Sequence, residues 1–392
     1  LSHCRVCLFT RPVQLGDCGA SRPKPGARRR MKNKRGLRLL RTAHLWAGTV
    51  ILLPLILIVL SGVLLIFDNR MVQLRAPELF ASGQDMPLEA QAEDMARIDT
   101  LAGDVGWNLV RLPQEDRPFY DVWLMTDERA YFAPGAEVFS DRFFWYERPE
   151  TIAFEVHAHL VAGEMGELIV GYIGLAALIM LLTGLMIWWP GRHGFSLSRL
   201  KPNAGSRRTL LRNHAAIGVV LAAPLIFLFG TGVMTAFPDQ TKAVLSSIAG
   251  GDAPQIEDPG VPEFPEERPD WQAILGTIHA AFDADQPVFV FTPAPGQDGA
   301  IYVRTRQDGE WHPNGRSEIY VDSSTAELIA VRDLNDADAG LRIANAMFPL
   351  HATRGGAWWL APLAFVTGLA GLIMLWASGF AYLKRWRKPK TP

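Results

Sequence analysis

The sequence predicts an α-helical membrane protein with four transmembrane helices in a duplicated arrangement and two small α+β modules between them. Three observations support this fold class: four long apolar runs, an uneven distribution of charge, and a repeated motif. Charged residues make up 20% of the 392 residues, below the roughly 25% of typical soluble domains. They are nearly absent from the four apolar runs. The sequence therefore excludes a single soluble globule and a disordered acidic protein.

The predicted transmembrane helices are four apolar runs, each long enough to cross a bilayer, which requires roughly 20 residues. They are Leu45–Phe67, Leu168–Trp189, Ala215–Phe237 and Ala357–Leu383. The first run is too long for a signal peptide, and no cleavage-site pattern follows it. All three cysteines lie within residues 1–18, which excludes a disulfide framework for the rest of the chain. We expect residues 1–30 to be disordered or an extension upstream of the true start.

Charge predicts the orientation of these helices. Residues 68–155 hold 18 Asp and Glu against 8 Arg, and residues 238–350 hold 19 against 7 Lys and Arg. The linker 191–213 and both termini are basic instead. Because cytoplasmic segments are enriched in Lys and Arg, we expect both termini in the cytoplasm of a bacterial inner-membrane protein and both acidic modules in the periplasm.

This topology divides the chain into six segments. They are 1–30; the cytoplasmic N-terminus with the first helix, 31–67; the first module, 68–155; the second and third helices with their linker, 156–237; the second module, 238–350; and the fourth helix with a basic tail, 351–392.

The first and third predicted helices carry the same spaced motif. His44 leads one helix and His214 the other. Each is followed at offsets of 4, 10 and 17–18 by glycine, proline and a hydroxyl residue with glycine. Self-similarity at fixed spacing marks an internal duplication. The second and fourth helices agree more loosely through Thr183-Gly184 and Ser378-Gly379.

The two modules also match in outline. Residues 130–140 and 319–329 each predict two strands joined by a tight turn. Residues 271–283 place apolar side chains at helical spacing, whereas the Pro- and Gly-rich segment 250–270 is typical of a surface linker. We therefore expect two separate modules, each with one helix on a short antiparallel sheet.

Histidines at the predicted helix ends are the candidate metal ligands. Titratable rings at a lipid boundary are costly and indicate function. Repeat symmetry pairs His44 with His214 on the cytoplasmic side and His159 with His351 on the periplasmic side. His157 is an alternative to His159, because it also aligns with His351 if the repeat contains a gap.

Each of these four histidines has a glycine four residues later, on the same face of a continuous helix. The glycines are Gly48, Gly218, Gly163 and Gly355. An imidazole above a glycine leaves room for a flat macrocycle, so we expect two haem b groups per chain, each held by two imidazoles. Zinc is disfavoured because neither cysteines nor clustered carboxylates accompany the histidines. Glycines that serve helix packing, and a proton relay through Glu164 and Glu167, remain alternatives.

Arginines near the helix ends are expected to neutralise the haem propionates by bidentate contacts. They are Arg38, Arg41, Arg208 and Arg212 at the cytoplasmic site and Arg354 at the periplasmic site. The other histidines carry no such signal. His193 is expected in a solvated loop, His279 as a structural ring, and His312 in a loop without functional meaning.

The plan of helix, small module and helix, repeated twice, resembles the PepSY-associated transmembrane proteins. The matching pieces are the helices led by His44 and His214, the His157-x-His159 pair, and the strand-turn-strand 319–329. The resemblance covers roughly residues 38–387. It implies an iron-regulated ferrisiderophore reductase, nearest to the ferrioxamine type, with two b-type haems and release of iron as Fe(II) in the periplasm.

The implied partners are a ferric siderophore, membrane lipid and an electron donor outside the chain, either quinol or a cytoplasmic flavoprotein. No G-x-G-x-x-G in a strand–helix setting occurs that would indicate a nucleotide domain of its own. No nucleic acid partner is expected. Two alternatives lack redox activity: a membrane-anchored peptide- or protease-binding sensor, and a permease for an iron complex.

Overall fold

The computed structural model describes residues 25–81, 86–201, 205–250, 269–282, 286–293 and 299–386, with side chains from residue 35. Most of the expected N-terminal extension and of the linker 250–270 lies outside these ranges. The chain divides into two units, 1–43 and 44–392. In the first unit the described part is helical from Pro25.

The described residues form eleven α-helices, numbered in chain order. They are α1 Pro25–Leu65, α2 Asp68–Arg75, α3 Leu88–Ala102, α4 Pro149–His159, α5 Gly163–Trp188, α6 Arg207–Val220, α7 Ala222–Ala236, α8 Pro238–Ala249, α9 Trp271–Ala281, α10 Ala339–Ala352 and α11 Ala361–Trp386.

Three helical stretches in the described chain are long and apolar enough to cross a membrane. They are Arg35–Leu65, Gly163–Gly194 and Gly355–Arg385. The expected third span is broken into α6 and α7, which meet at an angle of 70°. Pro224 lies in the first turn of α7, and proline removes a backbone hydrogen bond and crowds the preceding turn. The equivalent Pro54 lies inside an unbroken α1.

The described strands form one antiparallel sheet of eight strands in the order β4-β3-β2-β1-β5-β6-β7-β8. They are β1 Trp107–Arg111, β2 Tyr120–Leu124, β3 Glu128–Phe132, β4 Asp141–Phe144, β5 Gln286–Phe291, β6 Ile301–Arg306, β7 Ser317–Val321 and β8 Leu328–Arg332.

The expectation of two separate sheets is wrong, because β1 of the first module pairs with β5 of the second. Leu109, Val110 and Arg111 lie opposite Phe291, Val290 and Phe289. The two expected hairpins are present as β3–β4 and β7–β8. In the first of them the second strand starts one residue after the predicted hairpin, at Asp141.

The two faces of the sheet differ in their cover. Helices α3 and α9 pack on one face, where Val110, Val290 and Ile319 are fully buried in a shared core. On the other face of the first module, Tyr131 and Phe143 pack under Val72 and Leu79, which follow the first span. The joined sheet is therefore a single platform linked to the membrane helices on one side.

Candidate functional site

Two pairs of histidines face each other between the helices. The ring centroids of His44 and His214 lie 6.3 Å apart with planes inclined by 73°. Those of His157 and His351 lie 5.9 Å apart with planes inclined by 28°. Each pair joins one histidine from each half of the duplicated chain.

Hydroxyl groups orient the first pair. The Thr183 hydroxyl donates its hydrogen to the carbonyl of Ile179 at 2.9 Å, so its oxygen accepts from His44 Nδ1 at 3.0 Å. The Ser378 hydroxyl donates to the carbonyl of Met374 at 3.0 Å and accepts from His214 Nδ1 at 2.7 Å. A hydroxyl has a single hydrogen to donate. In this hydrogen-bond arrangement Nδ1 of each imidazole carries the proton.

Backbone carbonyls orient the second pair in the same way. His157 Nδ1 donates to the carbonyl of Ile58 at 2.8 Å, and His351 Nδ1 donates to the carbonyl of Leu228 at 3.0 Å. Ile58 and Leu228 each lie 14 residues after the leading histidine of their repeat. The duplication read from the sequence therefore extends to individual hydrogen bonds.

All four imidazoles consequently present an unprotonated Nε2. No hydrogen bond to this nitrogen is found among the described residues. A histidine that donates Nδ1–H to a fixed acceptor and leaves Nε2 free has the tautomer and orientation of a metal ligand. The sequence marked Thr183 and Ser378 only as loose repeat matches, and nothing in it marked the two carbonyls.

Two glycines allow the second pair to approach the membrane helices. A Cβ on Gly62 would lie 2.8 Å from His157 Cε1, and one on Gly232 would lie 2.8 Å from His351 Cε1. Any side chain at either position would therefore displace the ring. Both glycines belong to the repeated motif, which gave no indication of this contact.

The structure pairs His157, rather than His159, with His351. His159 lies two residues further along α4, and its Nδ1 contacts a carboxylate oxygen of Glu155 at 3.0 Å. The side chains of residues i and i+2 of a helix point in directions about 200° apart. Only one of the two histidines can therefore face His351. The alternative with a gap in the repeat is the arrangement found.

Two of the four glycines expected beneath the imidazoles, Gly163 and Gly355, lie outside the helices of their histidines. Helix α4 ends at His159 and α5 begins at Gly163, which has a φ of +57°. The shared face predicted for these two residues is therefore wrong. The same holds for His351 and Gly355, where α10 ends at Ala352 and the glycine has a φ of +54°.

Gly48 and Gly218 do lie on the helices of their histidines but contact methionines. A Cβ on Gly48 would lie 3.0 Å from Met180 Cε, and one on Gly218 would lie 3.2 Å from Met374 Sδ. These two glycines pack the helices closely. The glycine that does face His44 is Gly184, where a Cβ would lie 3.4 Å from Cε1 of that ring.

The expected propionate partners differ in their surroundings. Arg354 forms an ion pair with Asp68 and donates to the carbonyl of Leu65 at 3.1 Å. Arg208 and Arg212 line a cavity of about 340 Å³ that also touches Ala215, next to His214. Arg41 is an exposed residue of the N-terminal unit, as is Arg38. Glu164 and Glu167 of the alternative proton relay are exposed.

Asp68 belongs to a buried charge network at the junction of α2 and the sheet. Arg117 donates to Asp121 at 3.0 Å and approaches Asp68 at 3.5 Å. Burial raises the pKa of Asp68, but the charges of Arg354 and Arg117 outweigh burial and leave this pKa below its ordinary value. Both carboxylates are thus charged partners of buried guanidinium groups. Sequence reasoning missed this network, which contains no short motif.

His312 is not the featureless loop residue that the sequence suggested. It is 2% exposed, and its ring centroid lies 4.8 Å from that of Phe348 in α10, three residues before His351. Next to it, the carbonyl of Trp311 accepts from Gly356 N at 3.2 Å at the start of the last span. The β6–β7 loop thus docks on the helix that carries His351.

His193 is exposed and His279 partly buried, as expected.

Each histidine pair offers two imidazole nitrogens as a donor set. Within the described ranges, no three His, Cys, Asp or Glu side chains come together as ion ligands, whereas a structural zinc site takes four protein ligands. A porphyrin brings its own four nitrogens and needs only two axial ligands. Two imidazoles that each bound a metal at about 2.0 Å would have ring centroids about 6 Å apart, and the observed spacings are 6.3 Å and 5.9 Å.

The two pairs lie at different depths along α1. His44 belongs to the first pair, and the His157 ring contacts α1 at Ile58 and Gly62. This separation of 14 to 18 residues corresponds to about 21–27 Å at 1.5 Å per residue.

Together these features define a mostly helical membrane protein with one antiparallel sheet and with histidines paired between the two halves of the chain. The family described as the PepSY-associated TM region matches residues 41–385, and the chain belongs to this family. No curated protein matches the chain.

Proposed function

We propose that the protein is a di-haem inner-membrane reductase that moves electrons across the membrane to a periplasmic ferric siderophore and releases iron as Fe(II). The observation that carries this proposal is the pairing of four imidazoles across the duplication, each with Nδ1–H bonded and Nε2 free. The fit of both ring spacings to a metal between two imidazoles supports it further.

His44 with His214, and His157 with His351, would hold the two haem b groups. When bound between two imidazoles, an iron porphyrin supplies a one-electron carrier that is closed to external ligands. The chain's own residues fix the ligands. Hydroxyls and carbonyls hold each imidazole in one tautomer, and Gly62 and Gly232 let two of the rings approach the spans. Such supporting hydrogen bonds tune the affinity and potential of a metal centre.

The basic linker and termini support an orientation with the His44–His214 pair on the cytoplasmic side. The His157–His351 pair then lies on the periplasmic side, where the joined sheet is also placed. An electron acceptor outside the membrane would meet this second pair, and a quinol or cytoplasmic flavoprotein would supply electrons to the first.

Reduction is an effective way to release iron. Siderophores hold Fe(III) through hard oxygen donors, which match the higher charge of the ferric ion. One electron per iron, withdrawn from the external donor, converts the complex to the more weakly held Fe(II). The reaction needs no bond in the siderophore to break.

The test is reoxidation of the reduced protein. Purified protein is reduced with dithionite under argon, freed of reductant and mixed with a ferric siderophore in the presence of an Fe(II) chelator. The proposal predicts that the reduced absorption bands disappear as the Fe(II) chelate forms. The gallium complex of the same siderophore is the matched control and should leave the protein reduced. A protein that stays reduced with every ferric siderophore tested contradicts the proposal.

A further inference from the structure

The face of the sheet opposite α9 carries a ladder of aromatic rings across three strands of the second module. The Phe291 and Tyr302 centroids lie 4.9 Å apart, and those of Tyr302 and Tyr320 lie 5.1 Å apart. Phe289 lies beside Phe291 at 6.0 Å. All four rings are partly exposed. In the first module the same face is filled by Val72 and Leu79, so the two copies differ at this surface.

Arginines lie within this ladder. Strand register places Arg111, Phe289 and Arg304 side by side on β1, β5 and β6. The guanidinium carbon of Arg304 lies 5.4 Å from the Phe291 centroid, and that of Arg111 lies 5.7 Å from the Phe289 centroid. With strands about 4.8 Å apart, the two arginine backbones are separated by about 10 Å. We name Arg111, Phe289, Phe291, Tyr302, Arg304 and Tyr320 the arginine–aromatic face.

The face carries two arginines, Arg111 and Arg304, and one carboxylate, Glu318, which accepts from the Tyr302 hydroxyl at 3.0 Å and lies opposite Arg304 in the strand register. Glu318 is bound to Arg332 at 2.7 Å, and Asp121 is bound to Arg117 and Arg129. Among the described residues, no carboxylate lies within ion-pair distance of Arg111, Arg304 or the adjacent Arg316. The Nε atoms of Arg111 and Arg316 are buried and have no hydrogen-bond partner in the described part of the chain. Buried, unpartnered guanidinium nitrogens are unfavourable unless an anion satisfies them.

The shifts in pKa agree with this excess of positive charge. Burial, followed by the charge of Arg117, lowers the pKa of Arg111 to about 10. Burial, followed by the charge of Arg304, lowers the pKa of Arg316 to about 10. Each guanidinium is thus destabilised by its surroundings, which an anionic ligand would reverse.

Contacts that start at Arg316, next to the arginine–aromatic face, lead to the helix that carries His351. Arg316 Nη2 donates to His312 Nε2 at 2.8 Å, and His312 stacks on Phe348 in the helix of His351. A ligand on this face would therefore lie on the part of the sheet domain that docks on α10.

We infer that the arginine–aromatic face binds an anionic ferric chelate with aromatic donor rings, of the tris-catecholate class. Guanidinium groups complement the negative charge of such a chelate, and the aromatic ladder offers stacking surfaces for its rings. A cationic or neutral hydroxamate chelate lacks both features. The inference rests on the proposed function for the identity of the metal, and it favours a different chelate from the ferrioxamine type.

The experiment measures binding without electron transfer. The full-length protein in detergent is titrated with a gallium tris-catecholate and, separately, with a gallium tris-hydroxamate, since gallium(III) accepts no electron under these conditions. We expect the catecholate to bind at least tenfold more tightly, with affinity that falls as salt is raised. Binding requires neither haem nor reduction, so failure of the proposed reductase leaves this result interpretable, and the reverse also holds.

Variants locate the binding. Arg304→Gln should weaken catecholate binding about tenfold or more, the effect of losing one charged hydrogen-bond donor, and Arg304→Lys should restore part of it. The matched control is Arg142→Gln. Arg142 is an exposed arginine of strand β4 that forms an ion pair with Glu128 of β3, and its replacement should leave binding unchanged. Thermal unfolding of each variant confirms that it is folded.

Three results would overturn the inference. They are equal affinity for the two chelates, binding that is unaffected in folded Arg304→Gln, and complete displacement of the chelate by anionic lipid vesicles. The last result would assign the face to the membrane surface.

Discussion

Replacing Gly232 by alanine tests whether the His351 ring depends on the absence of a side chain in α7. The new Cβ would lie 2.8 Å from His351 Cε1, whereas ordinary contacts begin at 3.4 Å. The ring must therefore retreat by about 0.6 Å. A shift of this size stretches the 3.0 Å bond between His351 Nδ1 and the Leu228 carbonyl beyond hydrogen-bond length.

The expected destabilisation combines two effects. Overpacking a filled interior costs about 1–3 kcal/mol, and losing a buried hydrogen bond costs about 1 kcal/mol. Gly232→Ala should thus lower the free energy of unfolding by about 2–4 kcal/mol and, under the proposed function, lower haem content from two per chain towards one.

Gly230→Ala is the matched control. It lies in the same helix, and no neighbouring atom of the described residues lies within 4 Å of the position that its Cβ would take. An added methyl there should be neutral or slightly stabilising, because alanine favours helix more than glycine does. Thermal or denaturant unfolding and a pyridine-haemochrome count are measured on both variants. Equal stability and equal haem in the two would refute the close contact at Gly232.

Three further predictions concern other parts of the site. His351→Ala should remove about half the haem, whereas His193→Ala, at an exposed residue, should leave the count unchanged; an unaltered count in His351→Ala would exclude ligation there. Arg117→Ala should destabilise the fold by about 3 kcal/mol, measured by denaturant unfolding, because Asp121 and Asp68 stay buried and each keeps only one arginine partner, Arg129 or Arg354; a loss below about 1 kcal/mol would show that the network is dispensable. Burial, followed by the charge of Arg316, lowers the pKa of His312 to about 2, with Arg304 acting in the same direction. The unfolded chain therefore binds a proton below about pH 6.5 that the native state does not, and stability falls by about 2 kcal/mol from pH 7 to pH 5. His312→Gln should lack this part of the acid sensitivity, and an unchanged pH profile would contradict the assignment.

Much of the architecture could be predicted from local pattern. The apolar runs, the charge asymmetry and the repeat of His44 and His214 depend on composition and spacing along one helix, and the spans found follow them. The break between α6 and α7 was not predictable in the same way. The same proline is accommodated within α1 at Pro54, so the bend depends on tertiary packing rather than on proline alone.

Contacts between distant segments could not be predicted from the sequence. The pairing of β1 with β5 joins strands 175 residues or more apart and merges the two modules, although each hairpin was visible locally. The choice between His157 and His159 also depended on three-dimensional structure. The sequence favoured His159 because Gly163 follows it by four residues, but helix α4 ends before Gly163 and the two residues share no helix face. The spacing of four residues was regular, but the backbone between histidine and glycine was not helical.

Other residues carried a signal whose meaning was hidden. Gly62, Gly232, Thr183 and Ser378 were visible as repeat markers. Their contacts with imidazoles became apparent only when the second and fourth helices were placed beside the first and third. Arg354 illustrates the opposite case: the sequence predicts a haem propionate as its partner and gave no indication of its ion pair with Asp68.

The central claim is that paired imidazoles hold two haem groups in each chain, and a quantitative pyridine-haemochrome assay on the purified protein tests it most directly. We expect two haem b per chain, a Soret band, and split α and β peaks on reduction. A colourless, haem-free protein that does not take up added haem would contradict it.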